Sequence, residues 1–202
     1  MEEFASFCRI PPDGTPLKLG KATPIKHYRS ERDVAVKIMT AAVWVLLSAV
    51  TVITGYEAFE TLPWGQALLL TSALATLSAG ILGVTYLFAP KAFDLTSAGV
   101  VVLRPVRSFL IPYSQIVEAR PLRKLTWKGI RLFASGGLYG FFGLFYFAGI
   151  GKTWTYTARR SRVILLKTKS RGQYVIGPEE PENFLSQLLS YQEIKSGAGE
   201  GI

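Results

Sequence analysis

Cysteine and histidine are almost missing from this 202-residue chain: Cys8 and His27 are each the only one of their kind. A single cysteine excludes an internal disulfide and a cysteine metal cage. One histidine with one cysteine makes a weak zinc site. A Ser-His-Asp or Cys-His set needs a histidine held in a structured pocket, and His27 lies in a polar arm. Carboxylates are scarce as well. Asp94 and Glu118 are the only acidic residues between 91 and 178, and no spacing brings them together. A catalytic role is therefore not expected, nor is a metal or another cofactor. The first thirty residues also lack an apolar run. With Pro11, Pro12, Pro16 and Pro24 they read as an irregular arm over 1–33, not as a cleavable leader.

Charge is absent from three stretches. The first runs from Ile38 to Tyr56 and the second from Thr61 to Pro90, with Glu57 and Glu60 between them. A bilayer core of about 30 Å is crossed by about 20 apolar helical residues, so both are long enough. They predict a transmembrane hairpin over 34–90, with helices at about 35–56 and 65–88. Trp64 and Tyr86 fall near the ends of the second helix, at headgroup level. Neither helix carries a charge, which argues against a pump or an ion-coupled transporter. Ala75, Ala79 and Gly83 recur every fourth residue, beside Ser72, Thr76 and Gly80. Small residues allow close helix approach in lipid. The first helix is the expected partner, and a homo-oligomer through Ala79 and Gly83 is the other arrangement considered.

Lys26, Arg29, Arg32 and Lys37 precede the first helix, and Lys91, Arg104 and Arg107 follow the second. The connecting Glu57-Ala58-Phe59-Glu60 has no basic residue. The positive-inside rule then puts both termini in the cytoplasm. Residues 91–202 hold sixteen Lys/Arg against seven Asp/Glu, so the basic half faces inward.

The third uncharged stretch, Leu132 to Gly151, has the length of a span. A third crossing would export Arg159, Arg160, Arg162, Lys167, Lys169 and Arg171, against the same rule. Its clustered glycines and aromatics also favour strand over helix. It is expected inside the cytoplasmic domain, as a glycine-rich loop or hairpin near the interface.

From residue 91 short apolar runs alternate with turns: Phe93-Asp94-Leu95, Val100-Val101-Val102-Leu103, Phe109-Leu110-Ile111, Trp154-Thr155-Tyr156-Thr157, Val163-Ile164-Leu165-Leu166 and Tyr174-Val175-Ile176. Such spacing predicts a β-sandwich or small barrel, with a hairpin turn at Lys169-Ser170-Arg171-Gly172. Phe184, Leu185, Leu188 and Leu189 follow helical spacing after Pro181. A terminal amphipathic helix should cover an open end of the β structure. The domain is expected over 91–195, with a flexible tail at 196–202.

Several short runs carry a family resemblance: Tyr86-Leu87-Phe88-Ala89-Pro90-Lys91-Ala92-Phe93-Asp94-Leu95-Thr96, Ile111-Pro112-Tyr113-Ser114-Gln115-Ile116, Ile130 to Gly140, and Gly177-Pro178-Glu179-Glu180-Pro181-Glu182-Asn183-Phe184. Over roughly 35–190 the chain resembles bacterial PH-domain membrane proteins, with a pleckstrin-homology-like fold. The resemblance implies an α+β membrane protein, a two-helix transmembrane hairpin followed by a PH-like sandwich or barrel. It also implies location in the bacterial inner membrane and supplies no catalytic residues.

Ser135-Gly136-Gly137-Leu138-Tyr139-Gly140 lacks the ending of a P-loop and the spacing of a dinucleotide loop, so its glycines are read as structural. The basic residues are the binding candidates. Arg120, Arg123, Lys124, Lys128 and Arg131 form one group around Trp127, and Arg159, Arg160 and Arg162 form another. Each is worth about 1 kcal/mol near an anionic leaflet. The same charges also satisfy topology and solvation alone. Nucleic acid is not expected as a partner, for want of a recognition helix. The expected function is a membrane-anchored, non-enzymatic scaffold or adaptor binding membrane lipids or an unidentified protein. The alternative is an accessory subunit of a membrane enzyme or transporter.

Overall fold

The computed structural model describes residues 15–16, 24–125, 130–169 and 172–197. Two long helices, α1 (Val34–Thr61) and α2 (Trp64–Phe88), form the hairpin. α1 runs past the expected end at 56 and carries Glu57 and Glu60 in its last turns. Nothing breaks the helix until Pro63, which holds Leu62 extended at φ −114°, ψ 154°. Pro90 does the same to Ala89 at the end of α2. Only 6% and 11% of the two most apolar windows are buried, so these are not the core helices of a globular domain. Their length and composition suit a membrane crossing.

The helices meet closest near their loop. A Cβ on Gly55 would lie 3.1 Å from Thr71 Cγ2, and Ala58 and Ala67 are buried. The small residues expected to pack there do not. Gly80 and Gly83 face open space, and Ala75, Ala79 and Gly83 line a groove of about 780 Å³ with Trp44 and Leu47.

Two sheets make the rest. The first comprises β1 (Thr15–Pro16), β2 (Pro24–Arg29), β3 (Ala92–Thr96), β4 (Gly99–Leu103) and β5 (Phe109–Pro112), in the order β1-β5-β4-β3-β2. The second comprises β6 (Ile116–Lys124), β7 (Ile130–Gly136), β8 (Phe141–Phe147), β9 (Gly151–Thr157), β10 (Ser161–Thr168) and β11 (Gln173–Ile176). Its order is β6-β10-β11-β9-β8-β7, with β11 parallel to β9. The last element is α3 (Pro181–Gly197).

β2 corrects the expectation of an irregular arm over 1–33. It pairs antiparallel with β3, Tyr28 opposite Phe93 and Arg29 opposite Ala92. Its apolar pattern is too weak to announce a strand, since Ile25 is exposed and, among residues 25–29, only Tyr28 is buried. Partnership with β3, remote in sequence, makes it one. The whole helical hairpin is thereby the loop of a β2–β3 hairpin. Residues 1–14 and 17–23, which include Cys8, lie outside the described residues, as do 126–129, 170–171 and 198–202. The Lys169–Gly172 turn falls partly there, but β10 and β11 pair antiparallel across it.

The core lies between the sheets. Phe93, Leu95, Val102, Phe109 and Ile111 meet Tyr156, Ile164, Leu166, Tyr174 and Ile176, and α3 adds Phe184 and Leu188. β10 is buried on both faces. Val163 and Leu165 belong to a second cluster with Leu125, Phe145, Phe147 and Val175. This is why Val163-Ile164-Leu165-Leu166 reads as an unbroken apolar run: a strand covered on both sides need not alternate.

The uncharged stretch 132–151 is not a helix. It is β7, a tight turn and β8, paired from Ile130 opposite Tyr146 to Gly136 opposite Phe141. Gly143 shows why glycine is needed here. It has φ +112°, and a Cβ on it would come within 2.3 Å of Phe133 O. The turn docks on α1: the Tyr139 amide donates to Thr40 Oγ1 at 3.0 Å, and Trp44 Nε1 donates to the Tyr139 hydroxyl at 2.9 Å.

Candidate functional site

The basic candidates separate into three settings. Arg123, Lys124, Arg131 and Arg162 are exposed around the start of β10, where Lys124 pairs with Ser161. Arg131 is close enough to Arg160 to act on its charge. Arg120 is directed elsewhere: its Nε lies 3.5 Å from Glu118, whose other oxygen accepts from Lys167 Nζ at 2.7 Å. That Lys167 hydrogen bond holds the Glu118 carboxyl below its usual range. Lys128 and Trp127 lie outside the described residues.

Arg159 is a correction. It is 4% exposed and cannot face a lipid surface. Its guanidinium donates to Glu31 Oε2 at 3.2 Å, to Glu179 O at 3.2 Å and to Pro178 O. Burial pushes its pKa below the usual guanidinium range, and Glu31 opposes that shift. Arg160 is half-buried. Its guanidinium lies over the Phe141 ring at 4.7 Å, and its amide donates to Asp33 Oδ2 at 2.8 Å. Both arginines fasten residues 31–33, the approach to α1, onto the β domain. The Asp33 amide adds a bond to Ala158 O at 3.1 Å.

A second cationic region was read from sequence only as topology signals. β2–β3 pairing gathers Arg29, Arg32 and Lys37, before and within the first turn of α1, against Lys91 and Arg104, after α2. They line one cavity of about 710 Å³ with His27, Ser30 and Tyr86. Among the described residues no carboxylate lines it. The salt bridges of the described residues leave Arg29, Arg32, Lys37 and Lys91 without an acidic partner. Lys91 Nζ lies 4.8 Å from the Tyr86 ring centre, and Arg32 lies 5.9 Å from that of Tyr139. The available signal was the charge flanking each helix; what hid the site was the unrecognised strand that joins the two flanks.

His27 is not in a loose arm. Its Nδ1 lies 2.6 Å from Asp94 Oδ1 across β2 and β3. Among the described residues no group of three His, Cys, Asp or Glu side chains gathers as a metal site would require. The surface presents clustered cations and, on β7 and β8, an apolar strip. Ile130, Leu132, Phe133 and Tyr146 are 63%, 38%, 42% and 44% exposed.

No curated protein and no solved structure matches the chain. The family model described as "Bacterial PH domain" matches residues 91–192. The match starts one residue before β3 and takes in β3 to β11 and most of α3, leaving β1, β2 and the helical hairpin outside it. On that match, covering half its length, the chain belongs to the bacterial PH domain family.

Proposed function

We propose that this chain is a membrane-anchored, non-catalytic adaptor of the bacterial inner membrane, its PH-like domain held against the cytoplasmic face to bind anionic headgroups or a protein partner. One observation carries the reading: the apolar hairpin is the loop of a β-hairpin within the sheet. A helical anchor on a flexible linker leaves a domain free to roam. Here β2 and β3 enter the sheet directly from the two helices, and Arg159 and Arg160 fasten the first junction. Membrane and binding surface are thus held in fixed relation. The charge pattern supports the orientation, with Lys37 and Lys91 at one end of the hairpin and Glu57 and Glu60 at the other. The exposed strip on β7 and β8 is a natural contact for a protein partner.

The groove beside Ala79 and Gly83 favours a second reading, an accessory subunit of a membrane enzyme or transporter, because it would admit a further helix. Leucine at both positions would fill the groove and lower the mass of any such complex in mild detergent.

Orientation is tested by labelling. In a Cys8→Ser background, Phe59→Cys and Arg123→Cys are exposed separately to a membrane-impermeant maleimide in sealed inside-out vesicles. Labelling of Arg123→Cys with protection of Phe59→Cys is the expected result. The reverse pattern, or equal labelling, would sink the anchored reading.

A further inference from the structure

We propose that the cavity at the junction of hairpin and sheet is a phosphate-binding site, filled by the headgroup phosphate of an anionic lipid. The inference rests on the anchored reading and names the ligand and the residues it left open. Arg29, Arg32, Lys37, Lys91 and Arg104 come from three separate stretches of chain and line one space of about 710 Å³. That volume is in the usual range of small-ligand sites, roughly 300–1,000 Å³. Like charges gathered around a cavity repel one another, and among the described residues this lining contains no carboxylate to offset them. A bound anion relieves that repulsion.

The chemistry favours phosphate over a generic anion. Arg29 and Arg32 bring planar forks that match phosphate oxygens bidentately, whereas the fork of Arg104 is already given to Arg107 O and adds charge alone. The two lysines add compact charge.

Depth selects the lipid. Lys37 immediately precedes the uncharged run that starts at Ile38, and Lys91 immediately follows the one that ends at Pro90. The cavity therefore lies where hydrocarbon gives way to headgroups, the level at which phosphates are concentrated. Tyr86, in the wall, sits at that boundary, as interfacial aromatics do.

The test is native mass spectrometry of the full chain released from nanodiscs of phosphatidylcholine with phosphatidylglycerol. Wild type should retain one phosphatidylglycerol per chain in preference to phosphatidylcholine. Arg32→Gln/Lys91→Gln should lower that retention about tenfold or more, at roughly fivefold per headgroup cation. Lys152→Gln/Lys169→Gln removes the same charge from exposed positions far along the sequence and should leave retention unchanged. Should the double variant unfold, Lys37→Gln, which disturbs no ion pair, should still lower retention severalfold. Adding millimolar inorganic phosphate separates the two sources. No displacement means that the lipid is the ligand, and displacement means that the site takes free phosphate as well. Equal retention of both lipids, or equal loss in the cavity and control variants, overturns the proposal. If labelling refutes the anchored orientation while inorganic phosphate still protects wild type, and not Lys37→Gln, against heat, the site stands without the anchor.

Discussion

Arg159→Leu will lower the stability of the β domain by about 2–4 kcal/mol, the range for removing a buried residue that serves several hydrogen bonds. The side chain is 4% exposed and ties three separate segments together. Its donors reach Glu31, before α1, and the carbonyls of Pro178 and Glu179, before α3. Leucine fills part of the volume but satisfies none of these acceptors. The two carbonyls then lose their donors, and the approach to α1 loses an ion pair. Lysine should rescue little, because one ammonium cannot reproduce a fork that serves acceptors in three directions. Heating the purified chain in detergent and following the β signal reads the effect. At about 4–8 °C per kcal/mol for a domain of this size, the midpoint should fall by at least about 8 °C. A change within about 2 °C would mean that the clamp is ornamental.

Tyr28→Ala should cost about 3–4 kcal/mol, as large aromatic truncations do. Tyr28 lies on β2, outside the family match, and is 4% exposed. Its ring meets Phe184 edge-on at 5.1 Å, and its hydroxyl donates to Gln187 Oε1 at 3.2 Å. Removing it opens a void between β2 and α3. Tyr28→Phe removes only the hydroxyl and should cost about 1 kcal/mol or less. Hydrogen exchange distinguishes the local effect: α3 and β2 should lose protection in Tyr28→Ala while β10 and β11 keep theirs. Uniform loss everywhere would show that β2 has no special partnership with α3. Unchanged α3 protection would show that the strand is dispensable.

Much of the architecture was legible in the residues. Uncharged runs bounded by Lys37, Glu57, Glu60 and Lys91 announce the hairpin, because charge and hydrocarbon exclude each other. The topology argument against a third span anticipated that 132–151 would stay within the β domain, where it forms β7 and β8. The spacing of Phe184 and Leu188 marked the buried face of α3. What stayed hidden depends on contacts between distant residues. Within Pro24–Arg29, residues 25–29 hold one buried side chain, Tyr28, so only β3 makes the segment a strand. Missing β2 also meant missing the junction cavity and misplacing His27. Arg159 looked like its neighbours Arg160 and Arg162 because burial is invisible in a run of arginines. The small residues of α2 pointed to close packing, but the helices touch through other positions, Gly55 with Thr71 and Thr51 with Ser78.

The account stands or falls on β2 closing the sheet around the hairpin. The direct measurement is a disulfide between His27→Cys and Asp94→Cys, made in a Cys8→Ser background and oxidised in native membranes. These positions face each other in register, and their native side chains are 2.6 Å apart. Facing Cβ atoms lie about 4.5–5.5 Å apart, so a shift of about 1 Å at the sheet edge brings them to the roughly 3.8 Å of a disulfide. The predicted result is rapid formation of an intramolecular bridge, seen as one cross-linked peptide pair, with none in a His27→Cys/Ser97→Cys control. Absence of the bridge, or equal bridging in the control, would contradict the account.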